Sequence, residues 1–244
     1  MRWLIARYQP VSLFSLKHGE ATSTGAKTLL VPTPFAIRTA LLDAAIRVRG
    51  VAYGSQAFIR IQALYVALCP PRRAVVTNLF AKILKPERNP EERGRAMQRT
   101  IAFREYVHLG GELALALGGA PEDLEAVKPL LFHVSYFGKR GGFFQLLAPP
   151  ETVEMEGESA PEGFVTLSGP VITGGQIRGT LPAAFPLGHI QRLDEWGPDL
   201  TFERINIYSK EKIRRDRDRI RLDVVLPYRT TRSGRGFTLY ERID

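Results

Sequence analysis

Residues 28–47, TLLVPTPFAIRTALLDAAIR, set the reading of the whole chain. They describe the end of a loop or strand, a helix cap and a helix. Thr33 carries the hydroxyl that an N-cap needs, and Pro34 stands at the first helical position, where a missing N–H costs nothing. Ile37, Leu41, Ala44 and Val48 then share one line of the helix, widened by Leu42, Ala45 and Ile46. Gly50 closes it where a left-handed residue is suited. Arg38 is the odd member: at about 100° per residue it falls inside the apolar arc, between Ile37, Leu41 and Leu42. Either its stem lies on the core with its head in water, or its guanidinium is aimed at an anion beside the helix, such as a phosphate.

On either side of this helix, from about 34 to 49, the pattern alternates between strands and helices. Residues 2–9 read as a strand packing through Trp3, Ile5 and Tyr8, and residues 14–28 as a polar Gly/Ser/Thr-rich loop. Phe58 to Leu68 alternates like a strand, with a slip at Ala63 that marks a bulge or a short helix leading into a strand. Pro70 to Arg73 makes a turn and Ala74 to Leu84 a further strand. Residues 85–99, KPERNPEERGRAMQR, form a projecting insertion or a short mobile helix from Pro90. Glu112 to Leu117 is strand-like. Ala120 to Asp123 opens a second helix with acids in its first turn, expected to stop near Lys128 because Pro129 follows. The loop Gly138–Gly142 and a strand from Phe143 to Leu147 complete the series.

The order is strand, helix, strand, insertion, strand, helix, strand. It predicts an α+β chain with a ferredoxin-like (RRM-like) domain over 1–150, interrupted at about 70–107. Pro149 to Gly163 is acidic and reads as a linker or surface excursion. Strands at Leu200–Tyr208, Arg219–Tyr228 and Gly236–Arg242 would make residues 151–244 a smaller β-rich domain.

The chain has 244 residues, a formal net charge of +9 and a pI near 9.9. That balance favours an anionic partner, nucleic acid first and a membrane surface second. Only 8 of the 34 basic residues are lysine. Arginine suits bidentate phosphate contacts, although a GC-rich genome would give the same bias. The single cysteine, Cys69, excludes an internal disulfide and a cysteine zinc site and is expected as a buried thiol. MRWLIARYQP lacks the form of a signal peptide, and the longest uncharged run, Gly163 to Ile177, is too short to span a bilayer. A soluble cytoplasmic protein, away from membranes, is expected.

Two segments hold most of the excess charge. Lys82–Arg104 and Lys210–Arg221 each contain seven basic and three acidic residues. Such runs are commonly solvated faces; on this fold they also suit a phosphate-tracking groove. No RNP1-type aromatic pattern accompanies them. Gly138-Lys139-Arg140-Gly141-Gly142 offers glycines that let backbone N–H groups approach an anion and two cations between them. It lacks Walker spacing and could equally be a plain turn. His18, His108, His133 and His189 are scattered and none pairs with a carboxylate at triad or ligand spacing. HExxH, GxSxG and GxGxxG motifs are missing, so neither a catalytic residue nor a metal or cofactor is expected.

VPTPFAIRTALLDAAIR resembles the hallmark of the CRISPR-associated subunit that holds the 5′ end of the guide RNA in Cascade complexes, the fifth Cas family of the RAMP superfamily. FREYVHLGGELALALGGAPEDLEAVKPLLFHVSYFGKRGGFF, residues 103–144, is similar to a second family segment with an Arg-x-(Tyr/Phe) start and a Gly-(Lys/Arg)-Arg turn. The resemblance implies a thumb hairpin inserted between strands. It also implies a non-catalytic subunit of a type I interference complex, with the crRNA 5′ handle, the Cascade backbone subunit, the large subunit and, through the complex, target DNA near its PAM-proximal end as partners. Arg38, Lys139 and Arg140 match positions expected near the RNA. The full candidate RNA-binding set adds Lys17, His18 and Lys27 from the polar loop, and Lys82, Lys85, Arg88, Arg93, Arg95, Arg99 and Arg104 from the insertion. One branch of the family cuts repeat RNA with Tyr, Lys and His, which makes a metal-independent endoribonuclease the alternative. Tyr106-Val107-His108 lies in that region but lacks the Lys-His pair. A basic binding module outside CRISPR is the third reading.

Overall fold

A computed structural model describes residues 1–19, 25–171 and 187–243. In chain order its elements are β1 (Arg2–Pro10), β2 (Gly25–Ala26), α1 (Pro34–Gln62), β3 (Tyr65–Cys69), β4 (Arg73–Pro86), α2 (Pro90–Arg93), β5 (Met97–Gly110), β6 (Leu113–Gly119), α3 (Pro121–Leu131) and β7 (Phe144–Leu146). They continue with β8 (Glu151–Glu154), β9 (Val165–Ser168), β10 (His189–Trp196), α4 (Phe202–Ile205), β11 (Arg219–Leu226), β12 (Tyr228–Ser233) and β13 (Phe237–Arg242).

Thr33 caps α1 as expected, its Oγ1 accepting from Ala36 N–H at 3.1 Å with Pro34 in the first turn. Gly50 (φ 85°) breaks the helix. A Cβ there would meet nothing within 4 Å, so the need for glycine is conformational rather than spatial. The chain then resumes as helix to Gln62, so the stretch from Phe58 is helical before it becomes β3. Val48, counted on the apolar line, is exposed. α3 runs through Pro129 to Leu131 rather than stopping at Lys128. Leu124, Val127, Leu130 and Leu131 are all buried. Their packing outweighs a backbone bond that a last-turn proline removes.

The antiparallel pairs β7-β1-β6-β3-β9 form one sheet, and β8 also pairs with β1. Period-two alternation splits β1 between two faces. Leu4, Ala6 and Tyr8 join the main core with α1 and α3, while Trp3 and Ile5 face a small core closed by Val153, Met155 and Phe164. The acidic excursion is therefore a strand and a cover, not a linker. β4 and β5 form a long hairpin paired from Arg73↔Gly110 to Pro86↔Met97, extended by β13, β12 and, in parallel, β2. Residues on both sides of position 150 share sheets and a buried cluster: β8 and β9 complete the first sheet, and β13 pairs with β4. Leu200–Tyr208 is not a strand, because Phe202–Ile205 makes a helical turn.

β10 and β11 pair antiparallel; β10 packs against α1, and β11 touches β9 at the edge of the first sheet. Trp196 stacks on Phe58 at 4.9 Å and donates from Nε1 to Thr39 Oγ1 at 3.2 Å. α1 is thus covered on two sides, and Arg38 lies between them.

Candidate nucleic-acid interface

Arg38 is fully buried and has no path to a bound phosphate. Its Nε donates to both Glu195 carboxylate oxygens at 3.1 Å, Nη2 to the Leu64 and Gly169 carbonyls at 3.0 and 2.9 Å, and Nη1 to the Ile61 carbonyl. The expectation that it touches RNA is corrected: the guanidinium ties α1, the loop into β3 and β10 together. Glu195 is itself fully buried and accepts from Trp196 N–H.

The basic residues that do converge come from four separate stretches. Lys17 and His18 of the polar loop, Arg104 of β5, Lys139 of the glycine loop, Arg215 from just before the turn into β11, and Arg219 and Arg221 of β11 line a groove of about 470 Å³. Asp194 and Asp216 are its acidic members. The loop is fixed to the arm by the Phe14–Val107 backbone bonds (2.9 and 2.7 Å) and by Thr28 N–H donating to Glu105 at 2.9 Å. Lys139 is set by a turn in which Gly138 and Gly141 adopt φ of 80° and 107°. Ser12 accepts from Phe143 N–H and donates to the Gly141 carbonyl at 2.7 Å, closing that turn.

The C-terminal contribution rests on Asp218. Its buried carboxylate accepts from Arg214 side chain and backbone N–H and from Arg204 Nη1 at 3.1 Å. Burial pushes this carboxyl up, but the bonds from Arg214 and the charges of Arg204 and Arg214 outweigh it and hold it below the usual carboxylate range. Gly197 N–H donates to the Asp218 carbonyl at 2.8 Å, and a Cβ on Gly197 would lie 1.6 Å from the Arg217 carbonyl oxygen. Only glycine permits that approach. Arg219 is oriented by Asp194 and by the Phe35 ring, 4.8 Å below its guanidinium.

Of the expected site residues, Lys17, His18, Arg104 and Lys139 meet in the groove. Lys27 is exposed nearby on the loop but is not among its lining residues. Arg140 turns to the Tyr136 hydroxyl and Asp43, which raise its pKa, and leaves the groove to Lys139. Lys82, Lys85, Arg88, Arg93, Arg95 and Arg99 lie on the outer arm, away from the groove. There Glu87 at the tip pairs with Arg95 at 3.1 Å and Arg93 at 3.5 Å. Arg215, Arg219 and Arg221 were missing from the expected set. Their signal is the Lys210–Arg221 basic run; Arg219 and Arg221 share one side of β11, and Arg215 reaches the groove from the turn before it. Cys69 is half-buried and its Sγ accepts from Arg242 at 3.1 Å. Among the described residues there is no group of three or more His, Cys, Asp or Glu that could hold a metal, and no helix long and apolar enough to cross a membrane.

No family model matches the chain. It is 28% identical over 139 residues to the CRISPR-associated protein Cas5 of Archaeoglobus fulgidus, a match covering 57% of this chain and 57% of that relative. The chain therefore spans little more than half the length of the curated relative it matches. Solved structures similar to it include a CRISPR protein from Archaeoglobus fulgidus (TM-score 0.45, 10% identity, 99% of this chain and 92% of that one). A chain of a CRISPR RNA-guided surveillance complex gives a TM-score of 0.39 at 16% identity, covering 57% and 58% of the two chains. The chain is similar to CRISPR-associated proteins in both comparisons.

Proposed function

We propose that the chain is a non-catalytic RNA-binding subunit of a type I CRISPR interference (Cascade) complex, holding the 5′ handle of crRNA. The groove carries this reading: six cationic side chains from distant parts of the sequence converge against two acids. Arg and Lys so arranged suit a phosphate backbone, bidentate at Arg and as point charges at Lys. The similarity to Cas5 supports the complex in which it acts. The strand order β7-β1-β6-β3 with two helices in one core supports a ferredoxin-like unit, and the β4–β5 arm takes the place of its thumb. That arm exposes Phe80, Leu84, Met97, Ile101 and Phe103, a surface suited to the backbone subunit. The large subunit and PAM-proximal target DNA are then reached through the assembled complex.

The test is binding of handle RNA to the purified chain and to Lys17→Glu/Lys139→Glu/Arg215→Glu. Loss of about 1.5–3 kcal/mol per charge-assisted contact is expected, with an unchanged melting midpoint. Equal affinity in both proteins would sink the groove assignment. Incubation with repeat RNA is expected to leave it intact; a single-site cut abolished by His108→Ala would establish the endoribonuclease reading.

A further inference from the structure

The two sheets differ in what they leave open. On the first, the face turned away from the helices is closed by the chain's own segment around Val153, Met155 and Phe164. On the second, register places Tyr106, Thr77 and Phe237 in one row across β5, β4 and β13. The next row holds His108, Val75 and Leu239, and the next Arg73, Glu241 and Arg229. Their alternates Ala74, Val76, Val107 and Leu109 are buried in the core, so these rows face outward. His108, Phe237, Arg73, Arg229 and Arg232 are exposed and Tyr106 half-buried. The Arg232 guanidinium sits 6.0 Å from the Phe237 ring centroid. At the end of the face, Arg72, Arg73, Arg229 and Arg242 line a cleft of about 540 Å³ with Glu241. Arg73 is held by Glu241 at 3.1 Å, and Arg242 by the Pro70 carbonyl at 3.3 Å.

We propose that this outer face is a second single-stranded nucleic-acid surface, bordering the groove at Arg104, which register places in the row next to Tyr106, and extending away from it across β4, β13 and β12. Tyr106 and Phe237 offer ring faces to bases, and Arg73, Arg229 and Arg232 offer forks to phosphates. The rings stand two strands apart, roughly 9–10 Å, with arginines flanking them on the β12 side. Four arginines against one glutamate at the cleft make the end of the face strongly positive. An acidic protein segment would answer the charge but leave the aromatic rows unused, so nucleic acid is the better fit. The inference stands without the groove reading, since Tyr106, Phe237, Arg73, Arg229 and Arg232 do not line the groove.

Photo-cross-linking of the full chain to short thiouridine RNA and thiothymidine DNA tests it. Cross-linked peptides containing Tyr106 and Phe237 are expected in addition to those from the groove. Arg229→Glu/Arg232→Glu should remove the former and leave the latter, with an unchanged melting midpoint. In the groove-reversed variant, Phe237→Ala should weaken the remaining binding about tenfold. Preference for RNA would assign the guide strand, and preference for DNA a displaced, unpaired DNA strand. Cross-links confined to groove peptides would overturn the proposal. So would displacement of the oligonucleotide by polyglutamate with no base cross-linked at Tyr106 or Phe237, which would assign the face to an acidic protein.

Discussion

Arg38 and Asp218 are two buried charges with different consequences. At Arg38, four N–H donors are satisfied inside the protein, and Glu195 has little else to neutralise it. Arg38→Ala would leave a buried carboxylate unpaired, at a cost of about 3–5 kcal/mol. Chemical denaturation should show that loss, while RNA affinity per folded molecule stays unchanged; a melting midpoint equal to wild type would contradict the pairing. Asp218 acts at one remove from the groove, by holding the segment that carries Arg215 and Arg219. Its folded pKa is depressed, so its stabilisation is present above the unfolded carboxylate pKa and is lost as pH falls through the folded value. Asp218→Asn should therefore mimic the acid form at neutral pH, costing about 1–3 kcal/mol of stability. It should also flatten the acid limb of the stability-against-pH curve. An acid limb as steep as that of the wild type would remove Asp218 from this role.

The β4–β5 arm is the element whose two halves obey different physics. Near its base, Ala74, Val76, Val107 and Leu109 are anchored in the core; beyond Asn78, Leu79, Phe80, Leu84, Ile101 and Phe103 are exposed. The outer half therefore rests on its own ladder, the Phe80–Phe103 edge contact at 5.0 Å and the Glu87 clasp at the tip. Hydrogen exchange in the free chain should be fast from 81 to 99 and slow from 73 to 77, with protection of the outer half gained on assembly. Uniform protection along the arm in the free chain would show it to be anchored by other means. The first strand of this arm, the Thr33–Pro34 cap and the break at Gly50 are legible in the sequence, because each depends on neighbours within a few residues; β5 is not, since 85–99 reads as an insertion and no strand pattern stands out from 100 to 110. The sequence did not carry the continuation of α1 past Gly50 or of α3 through Pro129, where packing overrides local preference. Nor did it carry the burial of Arg38. Periodicity locates a residue on a helix face, but the partner, Glu195, is 157 positions away on an element whose strand pattern was not recognised. The groove was half legible for the same reason: Lys17, His18, Arg104 and Lys139 stood out as local clusters, whereas their meeting with Arg215–Arg221 is a property of the closed chain.

At the scale of the molecule, the charge of +9 is divided between two places with different freedom. Much of the first basic run is on the outer arm, where Arg93 and Arg95 are partly answered by Glu87. The second is folded against the N-terminal loop to make the groove. Six cations less two acids leave room to neutralise about four phosphates there. For a single strand, log K should fall with log salt by roughly 0.7 per phosphate neutralised, a slope near −3 for the groove. Reversing Lys17, Lys139 and Arg215 should make the slope shallower as well as lower the affinity, because fewer counterions are released on binding. Charge reversal at Arg88 and Arg99 should alter the slope little if handle RNA lies in the groove, since neither side chain lines it. Filter binding across a salt series reads both quantities at once. A slope unchanged in the groove variant and flattened in the arm variant would move the RNA from the groove to the arm.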